Sequence, residues 1–148
     1  MKVMAMKDQA GQLGVTATFD LAALAKKFPE TAATMLLDMR LTDEFAASAR
    51  LFRIYAAVPP HYHQSCDEYL LLISGRAIAV VGDSAPQKLN PGQLLFFRRG
   101  VVHSFPEILE HPLVVLAVDT PRRDPADVTF VDADAGTIGA FLQTVKAY

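Results

Sequence analysis

The 148-residue sequence predicts one all-β domain, an antiparallel sandwich or barrel, and three observations support this fold class. Short apolar runs recur through the second half of the chain. The segments between these runs consist of turn-forming residues, as in proteins built from many short strands. Helical crossover segments are missing between the runs, which argues against a parallel α/β sheet.

The N-terminal part of the sequence predicts one short helix and two strands. In an N-terminal extension, residues 1–33, Asp20 can cap a helix with apolar residues on one face. Residues 34–42 can be read either way, and we favour a strand because apolar side chains alternate there with partly polar ones. A second strand is predicted over residues 49–57.

From residue 69 onward the pattern is clearly β. The predicted strands are residues 69–74, 77–81, 93–97, 101–105, 113–119 and 128–131. The first pair is separated by Ser74-Gly75, and a turn at Glu110-His111-Pro112 precedes the fifth strand. Residues 135–148 carry apolar side chains at helical spacing, so we expect a C-terminal helix that closes one end of the barrel or covers a sheet face.

Composition excludes several classes of partner. A net charge of -2 and a pI near 6.0 provide no basic surface for nucleic acid. No apolar stretch is long enough for a transmembrane helix, so we expect no membrane partner. The single cysteine, Cys66, cannot form an intramolecular disulfide, and the N-terminus lacks the apolar run of a signal peptide. We therefore expect a cytoplasmic protein.

Three of the four histidines form an arrangement typical of a metal site. His61 and His63 point to the same face of an extended strand, and His103 lies in a later strand. Glu68 joins them only if the chain bends between residues 64 and 67. Imidazole and carboxylate ligands would bind one divalent cation, which could be Fe, Mn, Ni, Co or Zn. A closed structural zinc site is usually rich in thiolates, which one cysteine cannot supply.

The spacing of these residues resembles the first motif of the cupin family. His61-Tyr62-His63, four residues, Glu68, six residues and Gly75 reproduce that motif apart from its opening glycine, where Tyr55 stands.

The second cupin motif is matched more loosely, at Gly92 and at Gly100-Val101-Val102-His103. Arg98 replaces its usual proline and Glu107 its usual asparagine, and neither change removes a ligand. Together the motifs cover residues 55–107. The resemblance implies a conical jelly-roll β-barrel. The chain length predicts a single domain over residues 1–148, to which the patterns above add short terminal helices. The resemblance also implies that one divalent metal is held by four ligands, which are His61, His63, Glu68 and His103.

Strand alternation predicts an apolar pocket around the metal. From Glu68 it places Leu70 and Leu72 on the inner face, and from His103 it places Val101 and Phe105 there.

Two polar residues on the preceding strand, Arg53 and Tyr55, could offer this pocket a positive charge or a hydrogen bond. Surface exposure or an ion pair accounts for Arg53 equally well. Cys66 lies between the ligands and is interpreted as a structural or incidental thiol.

Two functions fit this sequence. The first is a metal-dependent enzyme, a dioxygenase or an isomerase, acting on a small organic substrate at open metal positions. The second is a non-catalytic cupin that binds or senses a small ligand, since Tyr55 and Tyr62 are the only nearby candidates for a general acid or base besides the ligands. We also expect a homodimer, formed through exposed edges of the N-terminal strands.

Overall fold

The computed structural model describes residues 5–7, 13–15 and 17–145, the first two ranges as backbone only. The predicted all-β fold with short helices is confirmed. The elements are, in chain order, β1 (Ala5–Lys7), β2 (Leu13–Val15), α1 (Leu21–Ala25), β3 (Leu36–Asp43), β4 (Ser48–Ile54), β5 (Val58–Tyr62), β6 (Asp67–Val81), β7 (Gln87–Leu89), β8 (Leu94–Phe97), β9 (His103–Thr120), β10 (Thr129–Phe130), α2 (Ile138–Phe141) and β11 (Leu142–Thr144). Neither described helix has the length and apolar character needed to cross a bilayer.

The two longest strands, β6 and β9, belong to both layers of a jelly roll. The first half of β6 lies between β8 and the C-terminal half of β9, which also pairs with β4. The second half of β6 lies between β7 and the N-terminal half of β9, which also pairs with β5. Strands β3 and β11 extend the first layer, and β10 extends the second. The pairings of the described strands do not close into a ring.

The main core lies between the two layers. Apolar side chains from both contribute to it, including Phe52 and Leu70 from the first layer and Val58 and Phe105 from the second. Sheet-on-sheet packing of this kind buries alternate residues of each strand. One end of this core is occupied by polar side chains, which form the candidate site.

A second core covers the outer face of the first layer. Leu24 and Phe28 pack there against the side chains of β3 that face away from the main core, which are Leu37, Met39 and Leu41. The predicted N-terminal helix is present and begins as expected, since the Asp20 Oδ1 accepts a hydrogen bond from the Ala23 amide at 3.0 Å. The strand interpretation of residues 34–42 is also confirmed. Residues 1–4, 8–12 and 16 of the predicted extension lie outside the described residues.

Two predicted turns lie within strands. Gly75 stays inside β6, and Pro112 stays inside β9. The φ angle of Gly75 is +81°, and the pairing of β6 with β9 shifts register on both sides of it. The turn-forming residues therefore mark a bulge where two long strands change direction together, and each pair of predicted strands is one strand.

The predicted C-terminal helix over residues 135–148 is wrong in extent. Helix α2 comprises only Ile138–Phe141, with Thr137 as its N-cap, and the chain then enters β11. Strand β11 runs parallel to the edge of β3, with Leu142 opposite Leu36. An open strand edge offers backbone hydrogen bonds that outweigh the helical preference of so short a segment. Residues 146–148 of the prediction lie outside the described part of the chain.

Candidate metal centre

Three histidines meet where β5 and β9 lie side by side. His61 in β5 is the direct pairing partner of His103 at the start of β9, and His63 follows the end of β5. One ring nitrogen from each lies within 4.8 Å of the other two. All three side chains are buried. Adjacent strands thus bring together residues that are more than forty positions apart in the sequence.

Backbone carbonyls fix the orientation of all three rings. The Nδ1 atoms lie 2.8 Å from the Pro59 oxygen for His61, 2.6 Å from the Asp127 oxygen for His63, and 3.0 Å from the Val101 oxygen for His103. A carbonyl oxygen can only accept a hydrogen bond, so each Nδ1 carries the proton. Each Nε2 is therefore left with a lone pair, as in histidines that bind metals.

The three imidazoles are neutral at physiological pH. Burial lowers the pKa of His61 to about 3, of His63 to about 2 and of His103 to about 3. Repulsion lowers each pKa further, because a proton on one imidazole would face Arg123 and any proton on a neighbouring histidine. The ring of His103 is also stacked on Phe97, with 3.8 Å between ring centroids. Neutral, immobilised imidazoles are the form that a divalent cation requires.

The expected bend before Glu68 is present. It lies at Gln64 and Ser65, whose amides donate to the Asp127 carboxylate at 2.8 Å and 3.0 Å. Glu68 then points inward from β6, with its Oε2 3.3 Å from the Nε2 of His63. That oxygen is buried and has no hydrogen-bond partner among the described residues. Glu68 is not, however, within 4.8 Å of every other donor, and the tight group contains the three histidines alone.

A buried charge network lies behind Glu68. Arg50 donates to Asp119 through Nε at 2.8 Å and Nη2 at 3.4 Å, and its Nη1 lies 3.5 Å from Asp38. Its Nη2 is also 3.6 Å from Glu68. Burial alone would raise the pKa of Asp119, but Arg50 holds it below its usual range. Burial, together with the negative charge of Asp119, raises the pKa of Glu68 to about 8.

A cavity of about 20 Å³ lies among these groups. Its lining includes the four predicted ligands and two of the predicted pocket residues, Leu70 and Phe105. That Leu70 and Phe105 contact a bound substrate remains a prediction. Leu72 belongs to the main core and Val101 packs against it, and neither lines the cavity. The volume is sufficient for a cation or one water.

The placement of Arg53 and Tyr55 in this pocket is wrong. Both side chains donate to the Pro29 carbonyl, at 3.1 Å and 2.7 Å, and line a separate surface groove. The reason is strand alternation in β4, where Arg50, Phe52 and Ile54 face the cavity and Arg53 faces away.

Several residues at the site were not predicted, and four of them, Arg50, Arg123, Asp127 and Phe141, matter most for its geometry and charge. Arg50 has the same strand parity as Phe52, so alternation could have found it. Arg123 and Asp127 follow β9 in an irregular segment, and the sequence offered no signal for them. Phe141 lies in the predicted C-terminal helix, whose periodicity did not indicate that it faces the site. Both Arg123 and Phe141 line the cavity.

Cys66 is buried and free. Burial raises the pKa of its thiol to about 12, with a further contribution from Asp119. The thiol therefore stays protonated and is a poor nucleophile, which supports its interpretation as a structural residue.

The donor set fits a divalent cation. Three Nε2 lone pairs converge, and the orphaned Glu68 oxygen lies 3.3 Å from one of them. That separation is what two donors to one ion, each bonded at about 2.1 Å, would show. The three histidines could thus hold a metal ion, and nitrogen and oxygen donors suit several divalent metals equally.

Comparison with known proteins agrees with this fold. A protein from Klebsiella pneumoniae subsp. pneumoniae MGH 78578 with a double-stranded β-helix domain superposes with a TM-score of 0.61 at 14% identity, covering 78% of this chain and 96% of its own. A proposed mannose-6-phosphate isomerase from Ralstonia eutropha JMP134 superposes with a TM-score of 0.61 at 25% identity, and the alignment covers 71% of this chain and 98% of that protein. KdgF from Halomonas sp. superposes with a TM-score of 0.56 at 20% identity, and the alignment covers 61% of this chain and 82% of that protein.

Sequence comparison gives one family and no curated relative. A search of curated proteins finds no match to this chain. Residues 53–119 match the family described as the cupin domain, and this range includes all four predicted metal ligands. The match and the jelly-roll fold together identify residues 53–119 as a cupin domain.

Proposed function

We propose that this protein is a metal-dependent enzyme of the dioxygenase or isomerase type, acting on a small organic substrate. In this proposal one divalent cation is held by His61, His63, His103 and Glu68. The observation that carries it is the convergence of three neutral Nε2 donors, each fixed by a carbonyl on Nδ1, in a buried cavity. A cation bound there would supply Lewis acidity toward a substrate oxygen or a site for dioxygen.

The residues of the chain have separate tasks in this proposal. The Pro59, Asp127 and Val101 carbonyls hold the protons on Nδ1 and so orient the imidazoles. Apolar side chains around the cavity, among them Phe52, Phe105 and Phe141, exclude bulk water and thereby strengthen every electrostatic interaction inside it.

One comparison bears on the reaction type. The similarity to a proposed mannose-6-phosphate isomerase, at 25% identity, favours the isomerase alternative. The non-catalytic alternative has one specific observation in its favour. Of the two tyrosines considered as general acid or base, Tyr55 faces a different groove, 2.7 Å from Pro29 O. Turnover of small acids, phenols or sugars by metal-loaded protein, in air and without it, would distinguish an enzyme from a binding protein.

Metal analysis is the direct test of the site. We expect about one divalent ion per chain in protein purified without chelator or nickel resin. His61→Ala and His103→Ala should lose it, whereas His111→Ala, an exposed histidine outside the cavity, should keep it. Elemental analysis of the folded variants provides the measurement. Unchanged metal content in both His63→Ala and Glu68→Ala would refute the proposed ligand set.

Two further expectations belong to this proposal. The protein is expected to act in the cytoplasm, and it is expected to form a homodimer. Light scattering coupled to size-exclusion chromatography measures the second directly.

A further inference from the structure

Arg123 is a buried cation that the proposed metal site does not use. Its side chain is only 2% exposed and lines the same cavity as the three histidines and Glu68. Its Nε and Nη2 atoms have no hydrogen-bond partner among the described residues. Buried guanidinium groups are almost always paired, because removing such a charge from water is costly. The two N–H groups are therefore a feature that needs an explanation.

Hydrogen bonds to both of its main-chain polar groups fix the backbone of Arg123. The Arg123 amide donates to the Ser48 hydroxyl at 3.1 Å, and the Arg123 carbonyl accepts from Arg40 Nη2 at 3.1 Å. Its charge acts on all three imidazoles: after burial, it is among the causes that lower the pKa of each. The guanidinium is thus a buried positive charge beside the candidate metal ligands.

Glu68 and Asp119 attract Arg123 through their charge, but the nearby carboxylates accept their arginine hydrogen bonds from Arg50. Asp119 receives two hydrogen bonds from Arg50, and Asp38 receives one. Glu68 lies 3.6 Å from Arg50 and 3.3 Å from His63. A divalent cation held with Glu68 would add further positive charge to the cavity. The balance of charge then calls for an anion from outside the chain, close to Arg123.

We propose that Arg123 anchors the carboxylate of a small carboxylic acid inside this cavity, through its free Nε and Nη2 groups. A guanidinium edge matches the planar carboxylate, since two N–H groups can donate in parallel to its two oxygens. The inference deepens the proposed function by naming its substrate class, and it rests on that function for the role of the metal. A planar carboxylate also fits this edge better than a tetrahedral phosphate, whose oxygens do not lie in one plane.

Formate and formamide are a matched pair of probes, because both are planar and have three heavy atoms. Isothermal titration calorimetry of each into the metal-loaded and the chelator-treated protein measures the preference for the anion. We expect formate to bind at least tenfold more tightly than formamide in both forms. Inorganic phosphate serves as the tetrahedral comparison and should bind more weakly than formate.

Arg123→Gln should weaken formate binding at least tenfold while leaving formamide binding and metal content unchanged. Arg122→Gln is the matched control, because Arg122 is adjacent in sequence, pairs with Asp43 and does not line the cavity. It should bind formate like the unmodified protein. If Arg123→Gln does not fold, Arg123→Lys replaces it, and the loss of the planar edge should still weaken formate binding severalfold.

Equal binding of formate and formamide to chelator-treated protein would overturn the inference, as would unchanged formate affinity in the Arg123 variants. Phosphate binding tighter than formate binding would overturn the carboxylate assignment. Failure of the proposed function gives a different result, namely absence of metal from unmodified protein. The titrations of chelator-treated protein then still decide the role of Arg123.

Discussion

At the scale of single residues, the site depends on groups that a ligand list would omit. The carbonyls of Pro59, Asp127 and Val101 select the tautomer in which every Nε2 keeps a lone pair that can bind a metal. Asp127 has two tasks, because its carbonyl binds His63 and its carboxylate binds the amides of Gln64 and Ser65. It thus connects one ligand to the bend that directs Glu68 inward.

Replacement of Asp127 by Ala should lower metal affinity by roughly 10- to 100-fold, the range found when groups that orient ligands are lost. The reason is that two amides of the bend lose their acceptor, so the loop between His63 and Glu68 becomes less ordered. Competition with a metal-binding dye measures this change. The metal affinity of Asp127→Asn, which keeps one acceptor oxygen, should lie between that of the unmodified protein and that of Asp127→Ala.

The control for this prediction is Asp132→Ala. Asp132 also accepts a backbone amide, that of Asp134 at 3.0 Å, but in an exposed turn away from the cavity. Equal loss of metal affinity in both alanine variants would show that Asp127 has no specific role at the site.

The sequence predicted individual residues unevenly, for physical reasons. The spacing of His61, His63 and Glu68 was informative because all three lie within one short segment. Arg123 and Asp127 lie about sixty residues beyond it, in an irregular segment whose return to the site depends on the tertiary fold. Alternation along β6 and β9 gives no information on β4, where Arg50 shares the cavity face with Phe52 and Ile54 and Arg53 lies on the opposite face.

At the scale of elements, the bend shared by β6 and β9 creates the two layers. Gly75 permits it in two ways, since its φ angle is +81° and an added Cβ would lie 2.5 Å from the Pro112 oxygen and 2.6 Å from the Glu110 oxygen. Both neighbours are backbone atoms that cannot rotate away. The glycine of the first motif is therefore a requirement of close strand approach.

Gly75→Ala should destabilise the protein by several kcal/mol, because the substitution adds both left-handed backbone strain and a backbone clash. Gly92→Ala separates these effects, since Gly92 also has a positive φ, +87°, but open space around its Cβ position. It should cost only about 1–2 kcal/mol. Urea denaturation measures both, and equal costs would show that the clash at Gly75 is relieved.

The C-terminal segment shows where element prediction fails. Apolar residues near positions 138–145 have helical spacing, yet periodicity alone does not determine the structure of so short a segment. The first turn is helical, and it places the ring centroid of Phe141 5.2 Å from that of His61. The remainder becomes a strand because β3 presents an open edge, and the Val145 amide donates to the Asp38 carbonyl. The outcome depends on a partner strand about a hundred residues earlier.

At the scale of the whole molecule, the site joins both layers of the jelly roll. His61 and His103 come from β5 and β9 in the second layer, whereas Arg50 comes from β4 in the first. Glu68 comes from β6, which belongs to both. A cation bound by this set would link distant parts of the chain, and such a set does not exist in the unfolded protein.

Removal of the metal should therefore lower the melting temperature. A ligand that binds only the folded state, at about 100 times its Kd, adds about 2.7 kcal/mol, which is roughly 5–10 °C for a chain of this size. Differential scanning calorimetry before and after chelation measures the shift, and added metal should reverse it. In His103→Ala, chelation should change nothing. If neither chelator nor added metal changed the melting temperature of the unmodified protein, the result would contradict a cation site that connects the two layers.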